Sequence, residues 1–176
     1  KMISTHQNEL KSSVFHDITE QEKQRVVDKY GVSGVTHWNQ ANGYYSMGQY
    51  QKAFDTYEKY LALAQKQRPS PDAIQVCLAY TKMADSLFAM EQLDKSMVLY
   101  ERAISVTREI DYVPGQVDSC MGMAKVCFMK HKYKMAEMFG DQSLIATELV
   151  CNKSKEAEVC ELLSKIYKQL FDDPKS

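Results

Sequence analysis

The sequence predicts an all-α, right-handed superhelical solenoid built from helix-turn-helix repeats. The main observation is a short segment that recurs three times, each time with an alanine in second place. Its copies span residues 40–45, 83–88 and 123–128. The alanines, Ala41, Ala84 and Ala124, are 43 and then 40 residues apart. Recurrence at a few tens of residues is typical of solenoids, in which stacked units share one continuous core.

Helical patterns separated by turn residues predict each element in order. The predicted helices are Gly34–Met47, Tyr50–Lys66, Asp72–Met90, Leu93–Ile110, Gln116–Lys130, Tyr133–Val150 and Lys153–Phe171. Breaks fall at residues 47–49, 68–72 and 111–115, where glycine, proline and small polar residues cluster. Ser33 and Ser70 are candidate N-caps, and Pro71 suits the first helical position after Ser70.

These helices predict three parts of the chain. Residues 1–33 form an N-terminal segment, with an amphipathic helix at Asp17–Tyr30 that covers the first repeat. Residues 34–152 form three helical hairpins, and residues 153–176 form a closing helix and tail. A piece cut from a longer repeat array is the alternative explanation for the single last helix.

Composition narrows the functional classes. The 176 residues carry a net charge of −1, so the net charge does not favour binding to nucleic acid or to an anionic membrane. No apolar run of membrane-spanning length is present, so we expect no membrane insertion. The five cysteines form an odd set without a disulfide-like spacing, which indicates reduced thiols and a cytoplasmic protein.

Within each pair of helices, small and large residues alternate in phase. Gly48, Tyr50 and Ala53 follow the first alanine, and Tyr100 with Ala103 follow the second. This pattern, over Val35–Phe171, resembles the tetratricopeptide repeat. The resemblance implies small residues where two helices cross closely and large residues filling the space between them.

The period is longer than that family's usual unit. HEAT and armadillo repeats share a period of about 40, but the Gly48–Ala53 signature favours the tetratricopeptide repeat. Long units of this kind resemble a subgroup found in rapsyn and in the Pins-type spindle-orientation scaffolds. The stretches that carry the likeness are Thr107–Ile110, Gly115–Val117 and Gly122–Lys125.

The resemblance implies that the first helix of each pair lines a concave groove for a partner. The groove positions it gives are Trp38, Asn42, Tyr45, Thr81, Asp85, Phe88, Met121, Lys125, Phe128 and Met129. Tyr45, Phe88 and Phe128 form a predicted aromatic ladder, since aromatic side chains anchor ligands in apolar grooves. The alternative is that these three rings pack against neighbouring helices.

Other kinds of site find little support. Chaperone-binding members of the family hold a terminal carboxylate with Lys, Asn and Arg, whereas Trp38, Thr81 and Asp85 stand at those positions here. Pins-type domains use repeated asparagines, and only the first unit has them. Cys127 and His131 are four residues apart, but two ligands do not make a structural zinc site. We expect no catalytic residues, no metal and no cofactor.

The sequence therefore predicts a protein–protein interaction scaffold or adaptor that takes a partner peptide or helix into its groove, and not an enzyme. The alternative is an assembly or self-association module of a larger cytosolic complex that uses the convex face or the helix ends. The oligomeric state, the partner and the pathway are not predicted.

Overall fold

The computed structural model describes residues 34–66 and 72–172, all of whose regular elements are α-helices. They are α1 (34–46), α2 (Tyr50–Gln65), α3 (Ala73–Ala89), α4 (Leu93–Glu109), α5 (Val113–Met129), α6 (Tyr133–Leu149) and α7 (Lys153–Asp172). The predicted helix Asp17–Tyr30 and the candidate caps Ser33 and Ser70 lie outside the described residues. The division at residues 33 and 152 therefore stays a prediction.

The helices stack as an all-α solenoid. From α2 onward every helix packs against the next along the chain, and α3 contacts α5 while α5 contacts α7. Because contacts reach only the next helix or the next but one, one apolar core runs along the stack. Ala41, Ala53, Ala84, Ala103 and Ala136 are fully buried in it and let the backbones approach closely.

One turn geometry joins almost all the helices. Gly48, Glu91, Asp111, His131 and Cys151 each have positive φ, between 51° and 72°. In the turn at Glu91, the Gln92 amide donates to the carbonyl of Leu87, five residues earlier. The other four turns make the equivalent hydrogen bond. This is the Schellman arrangement, which satisfies carbonyl groups left free at a helix end.

Two helix starts differ from the sequence prediction. Helix α5 begins at Val113 and not at Gln116, because Pro114 lies in the first turn, where a residue without an N–H costs no hydrogen bond. Before α3, the N-cap is Asp72, whose side chain accepts a hydrogen bond from the Gln75 amide. Aspartate supplies the acceptor expected of a cap. The predicted role of Pro71 concerns a residue outside the described ranges.

Candidate functional site

A cleft of about 250 Å³, here called the inner cleft, lies on the face formed by α1, α3, α5 and α7. It is lined by Tyr45, Lys82, Asp85, Phe88, Tyr100, Asp118, Met121, Gly122, Lys125, Lys155 and Glu158. Tyr100 is the one lining residue from a second helix of a pair. The first helix of every described pair thus contributes to the cleft, together with α7.

Two half-buried aromatic rings supply the apolar part of this cleft. Tyr45 comes from the end of α1, where its ring meets the Tyr50 ring edge-on at 5.3 Å between centroids. Phe88 comes from the end of α3, and the buried side chain of Met121 from α5. Burial, with smaller effects of Asp85 and Tyr50, raises the pKa of Tyr45 to about 12. Tyr45 is therefore a neutral, amphipathic surface for a ligand at physiological pH.

A hydrogen-bonded tyrosine forms part of the cleft wall. The Tyr100 hydroxyl donates to Asp85 Oδ1 at 2.5 Å, and Lys82 Nζ lies 3.5 Å from Asp85 Oδ2. Burial and the nearby Asp85 raise the pKa of Tyr100 well above its ordinary value. The Tyr100 ring in turn covers Gly122, where a Cβ would overlap ring atoms Cε1 and Cζ. The glycine therefore lets α4 and α5 approach closely enough to place Tyr100 in the cleft.

The far side of the inner cleft holds a buried ion pair. Lys155 on α7 is only 4% exposed, and its Nζ lies 3.3 Å from Asp118 Oδ1 and 3.4 Å from Glu158 Oε2. Burial raises the pKa of Asp118 to about 6, against the opposing effects of Lys155 and Lys82. This pair ties α7 to α5, so both of its charges are engaged within the fold.

Lys125 differs from the other two cleft lysines. Lys82 pairs with Asp85 and Lys155 pairs with Asp118, whereas Lys125 makes no hydrogen bond or ion pair among the described residues. It is half-buried on α5 and lines the same cleft as Phe88. A half-buried cation without a counter-ion attracts a carboxylate or another acceptor more strongly than an exposed lysine does.

Of the ten groove residues that the sequence suggested, five line this cleft: Tyr45, Asp85, Phe88, Met121 and Lys125. Three others, Trp38, Asn42 and Thr81, lie in or beside the core. Trp38 is 3% exposed and packs against Tyr57 and Tyr60 at centroid distances of 5.5 and 5.0 Å. Its indole N–H is buried and has no acceptor among the residues that the structure describes.

The remaining positions are engaged within the hairpins or lie near a turn. Asn42 accepts a hydrogen bond from the Tyr57 hydroxyl at 2.5 Å, and buried Thr81 donates to the Cys77 carbonyl. Phe128 packs on Tyr133 at 5.7 Å, and Met129 is exposed beside it. Phe128 and Met129 are not among the residues that line the inner cleft. Of the three rings in the predicted ladder, only Tyr45 and Phe88 line it.

The sequence reasoning missed the contribution of α7. The groove positions predicted from the sequence include none on this closing helix, yet Lys155 is buried and Glu158 lines the cleft. Glu158 lies 40 residues after Asp118. Extending the repeat by one more unit would have placed Glu158 beside the groove.

The part of the chain that the structure describes lacks two kinds of feature. No group of three His, Cys, Asp or Glu side chains there is placed to hold a metal ion. None of the described helices has the length and apolar character needed to cross a bilayer.

Comparisons with known proteins agree with this architecture. The family model of the tetratricopeptide repeat matches residues 32–109. No curated protein matches the chain by sequence. Similar solved structures include BtubC (BKLC) from P. vanneervenii, which is 20% identical with a TM-score of 0.73, over 86% of this chain and 63% of that one.

The apo form of RapI is similar too, at 15% identity and a TM-score of 0.74, over 97% of this chain and 61% of RapI. The chain thus spans about three fifths of the length of each of these two structures. At such identities the likeness shows the fold alone. The match to the tetratricopeptide repeat thus covers residues 32–109, and the described helices beyond them continue the same helical-repeat fold.

Proposed function

We propose that the chain is a protein-interaction scaffold or adaptor whose inner cleft binds a peptide segment of a partner protein. The observation that carries this proposal is Lys125, a half-buried cation that has no counter-ion among the described residues, in the same cleft as Tyr45 and Phe88. Tetratricopeptide repeats are interaction modules, which supports a protein partner and a non-catalytic role.

The chemistry of the cleft defines the kind of peptide. An apolar or aromatic ligand side chain would lie against Tyr45, Phe88 and Met121, where burial of its surface favours binding. An acidic side chain near it would pair with Lys125 and remove the unpaired charge. The ligand is therefore a segment that combines an acidic residue with an apolar anchor.

The test uses peptides selected from a displayed random library on the wild-type chain. Their affinities are then measured by fluorescence polarisation for Phe88→Ala and Lys125→Glu, with folding checked by circular dichroism. Each change is expected to weaken binding about tenfold or more, because each removes one class of contact. A peptide with its acidic residue changed to lysine should regain affinity for Lys125→Glu.

Two matched variants control for general effects of these substitutions. Phe171→Ala removes an exposed ring, and Lys168→Glu reverses an exposed charge on α7, both outside the cleft. Both controls should bind selected peptides like the wild type. Equal losses in the controls, or undiminished binding in both cleft variants, would contradict the proposal. Phe128→Ala tests whether the site extends beyond the cleft, and we expect a smaller loss there.

Two finer assignments belong to this proposal as well. The likeness to the rapsyn and Pins-type subgroup remains a prediction from the residues quoted above. A cytoplasmic site of action is supported by the five cysteines, none of which forms a disulfide.

A further inference from the structure

The outer side of α6 carries an apolar row of residues, here called the α6 stripe. It consists of Met135, Met138, Gln142, Ile145 and Leu149, spaced three and four residues apart in alternation. Met135 is 38% exposed, Met138 46%, Ile145 59% and Leu149 70%. A spacing of three and four places all five on one side of the helix, which is the pattern of a helix-pairing seam.

The repeat supplies an internal control for this stripe. The equivalent positions are Lys52, Asp55, Lys59, Ala62 and Lys66 on α2, and Lys95, Val98, Arg102, Ser105 and Glu109 on α4. All ten are exposed, so this side faces outward in every hairpin. Seven of the ten are charged, whereas the α6 stripe holds no charge.

This difference points to an interface on α6. Exposed apolar residues scattered singly need no explanation, but a contiguous row on one helix marks an interaction site. The described residues leave the four apolar members of the row exposed, while Gln142 between them is half-buried and accepts from Arg108 at 2.8 Å. The row also spans almost the full helix, since 14 residues rise about 21 Å.

We propose that the α6 stripe is a homodimer interface, in which α6 of one chain packs antiparallel against α6 of a second copy. The stripe reads almost the same in both directions, with two apolar residues on each side of Gln142. An antiparallel two-fold arrangement centred on Gln142 therefore places Met135 near Leu149 and Met138 near Ile145 of the second copy. Such self-complementarity is what an isologous contact requires.

Two charged residues beside the stripe are complementary in this same arrangement. Lys134 and Glu148 flank the stripe on one side, eight and six residues from Gln142. Antiparallel packing brings Lys134 of each copy near Glu148 of the other, giving two opposite-charge contacts. Near the axis, Asp141 accepts from the Tyr167 hydroxyl at 3.4 Å, and Arg108 on α4 donates to Gln142 Oε1 at 2.8 Å. The arrangement thus sets like-charge contacts of Asp141 and of Arg108 with their own copies against the two opposite-charge contacts.

Sedimentation velocity of the whole chain over a concentration series tests the interface. The expected species is a dimer of twice 20.2 kDa, in equilibrium with monomer. Ile145→Lys should weaken dimerisation about tenfold or more, because it places two like charges in the apolar seam. Val98→Lys on α4 is the matched control, since Val98 is exposed on the same outer side, and should leave dimerisation unchanged.

A charge exchange tests the antiparallel direction. Lys134→Glu and Glu148→Lys should each weaken the dimer, and the double variant should restore it. Restoration requires that residues 134 and 148 of different copies meet, which a merely structural role of either residue would not produce.

Cross-linking provides a third, covalent readout. In a background where exposed Cys151 and Cys160 are changed to serine, and Cys120, whose Sγ lies 3.9 Å from Gln142 Oε1, is changed to alanine, Gln142→Cys should form a disulfide dimer under mild oxidation. Arg102→Cys, at the equivalent position of α4, should form no disulfide dimer, because residue 102 lies outside the proposed interface. A wild-type chain that is monomeric up to about 100 µM, or a dimer indifferent to Ile145→Lys, would overturn the proposal.

Discussion

At the scale of single residues, the contact of Tyr100 with Gly122 decides how α4 and α5 meet. Tyr100 is buried, and its hydroxyl is held by Asp85 on α3. A Cβ at position 122 would overlap the ring, and the ring cannot move without losing this hydrogen bond. The glycine is therefore required by a close approach, since its backbone is ordinary α-helix.

Gly122→Ala is expected to destabilise the fold by about 1–3 kcal/mol, the usual cost of overpacking a core. Gly43→Ala is the matched control, because Gly43 is also helical but has nothing within 4 Å of an added Cβ. That variant should gain up to about 1 kcal/mol from helix propensity. Urea unfolding followed by circular dichroism measures both, and equal effects of one sign would contradict the packing argument.

Asp118 is the residue whose charge the fold tolerates least. Its pKa is raised from 3.8 to about 6, first by burial, although Lys155 and Lys82 act against this. The folded chain then holds the Asp118 proton more tightly than the unfolded chain. Ionisation of Asp118 therefore lowers the free energy of unfolding as the pH rises from about 4 to about 6, and has no further effect above that.

Asp118→Asn should remove this one contribution. The variant and wild type are expected to be equally stable near pH 4, and the variant more stable by up to about 3 kcal/mol above pH 6. The measurement is the difference between the two unfolding free energies in urea as a function of pH. A variant that is less stable at neutral pH would show instead that the attraction of Lys155 outweighs the burial of Asp118.

At the scale of elements, four of the five Schellman turns use a residue other than glycine at positive φ. A side chain in the left-handed region costs about 1 kcal/mol through the close contact of Cβ with the backbone. Glu91 and His131 are both exposed, but the His131 ring also meets the Tyr133 ring edge-on at 5.8 Å between centroids, with Nδ1 2.8 Å from the Tyr133 hydroxyl.

Glu91→Gly is expected to raise the free energy of unfolding by about 0.5–1 kcal/mol, after the entropy cost of glycine. His131→Gly should raise it by less, because this change also removes the contact with Tyr133. Gly48→Ala, at the equivalent turn after α1, should lower it by about 1 kcal/mol. Thermal and urea unfolding check all three. Loss of stability in both glycine variants would mean that the side chains contribute more than the strain costs.

The elements were predictable from the sequence to a greater extent than the site was. Helical periodicity and turn residues are local features, so most helix starts were predicted correctly. The predicted start of α5 fell at Gln116 instead of Val113 because Pro114 was interpreted as a break between helices. Whether a side chain reaches the cleft depends on how each helix is rotated about its axis. Trp38 and Thr81 share the spacing of groove residues, yet their helices turn them into the interior. The pairing of Lys155 with Asp118 joins residues 37 apart, which no local pattern encodes.

At the scale of the whole molecule, the main contacts among the described helices join each helix to the next one or the next but one along the stack. Helix α7 is held by buried Val159, Leu163 and Ile166, and Leu163 covers Gly140 on α6, where a Cβ would lie 2.6 Å from Leu163 Cδ2. A destabilising substitution in α7 should therefore affect α6 and α7 and leave the helices at the other end of the stack unchanged.

Leu163→Ala is expected to cost about 2–5 kcal/mol locally by leaving a cavity between α6 and α7. Hydrogen exchange measured by mass spectrometry should show faster exchange in α6 and α7, with α2 and α3 unchanged. Leu99→Ala, at a buried position of α4, is the comparison variant and should speed exchange in the middle of the stack. A uniform rise in exchange along the chain after Leu163→Ala would indicate a single all-or-none unit.

The positive-φ residues at 91, 111, 131 and 151 follow one another at a constant step of 20 residues. Each step contains a 17-residue helix and a three-residue link of the same backbone shape. Any two of these links can therefore be spliced together without changing the direction in which the chain leaves. The protein can gain or lose whole hairpins by unequal recombination at its turns, and the length of its binding surface is free to vary while the joints stay the same.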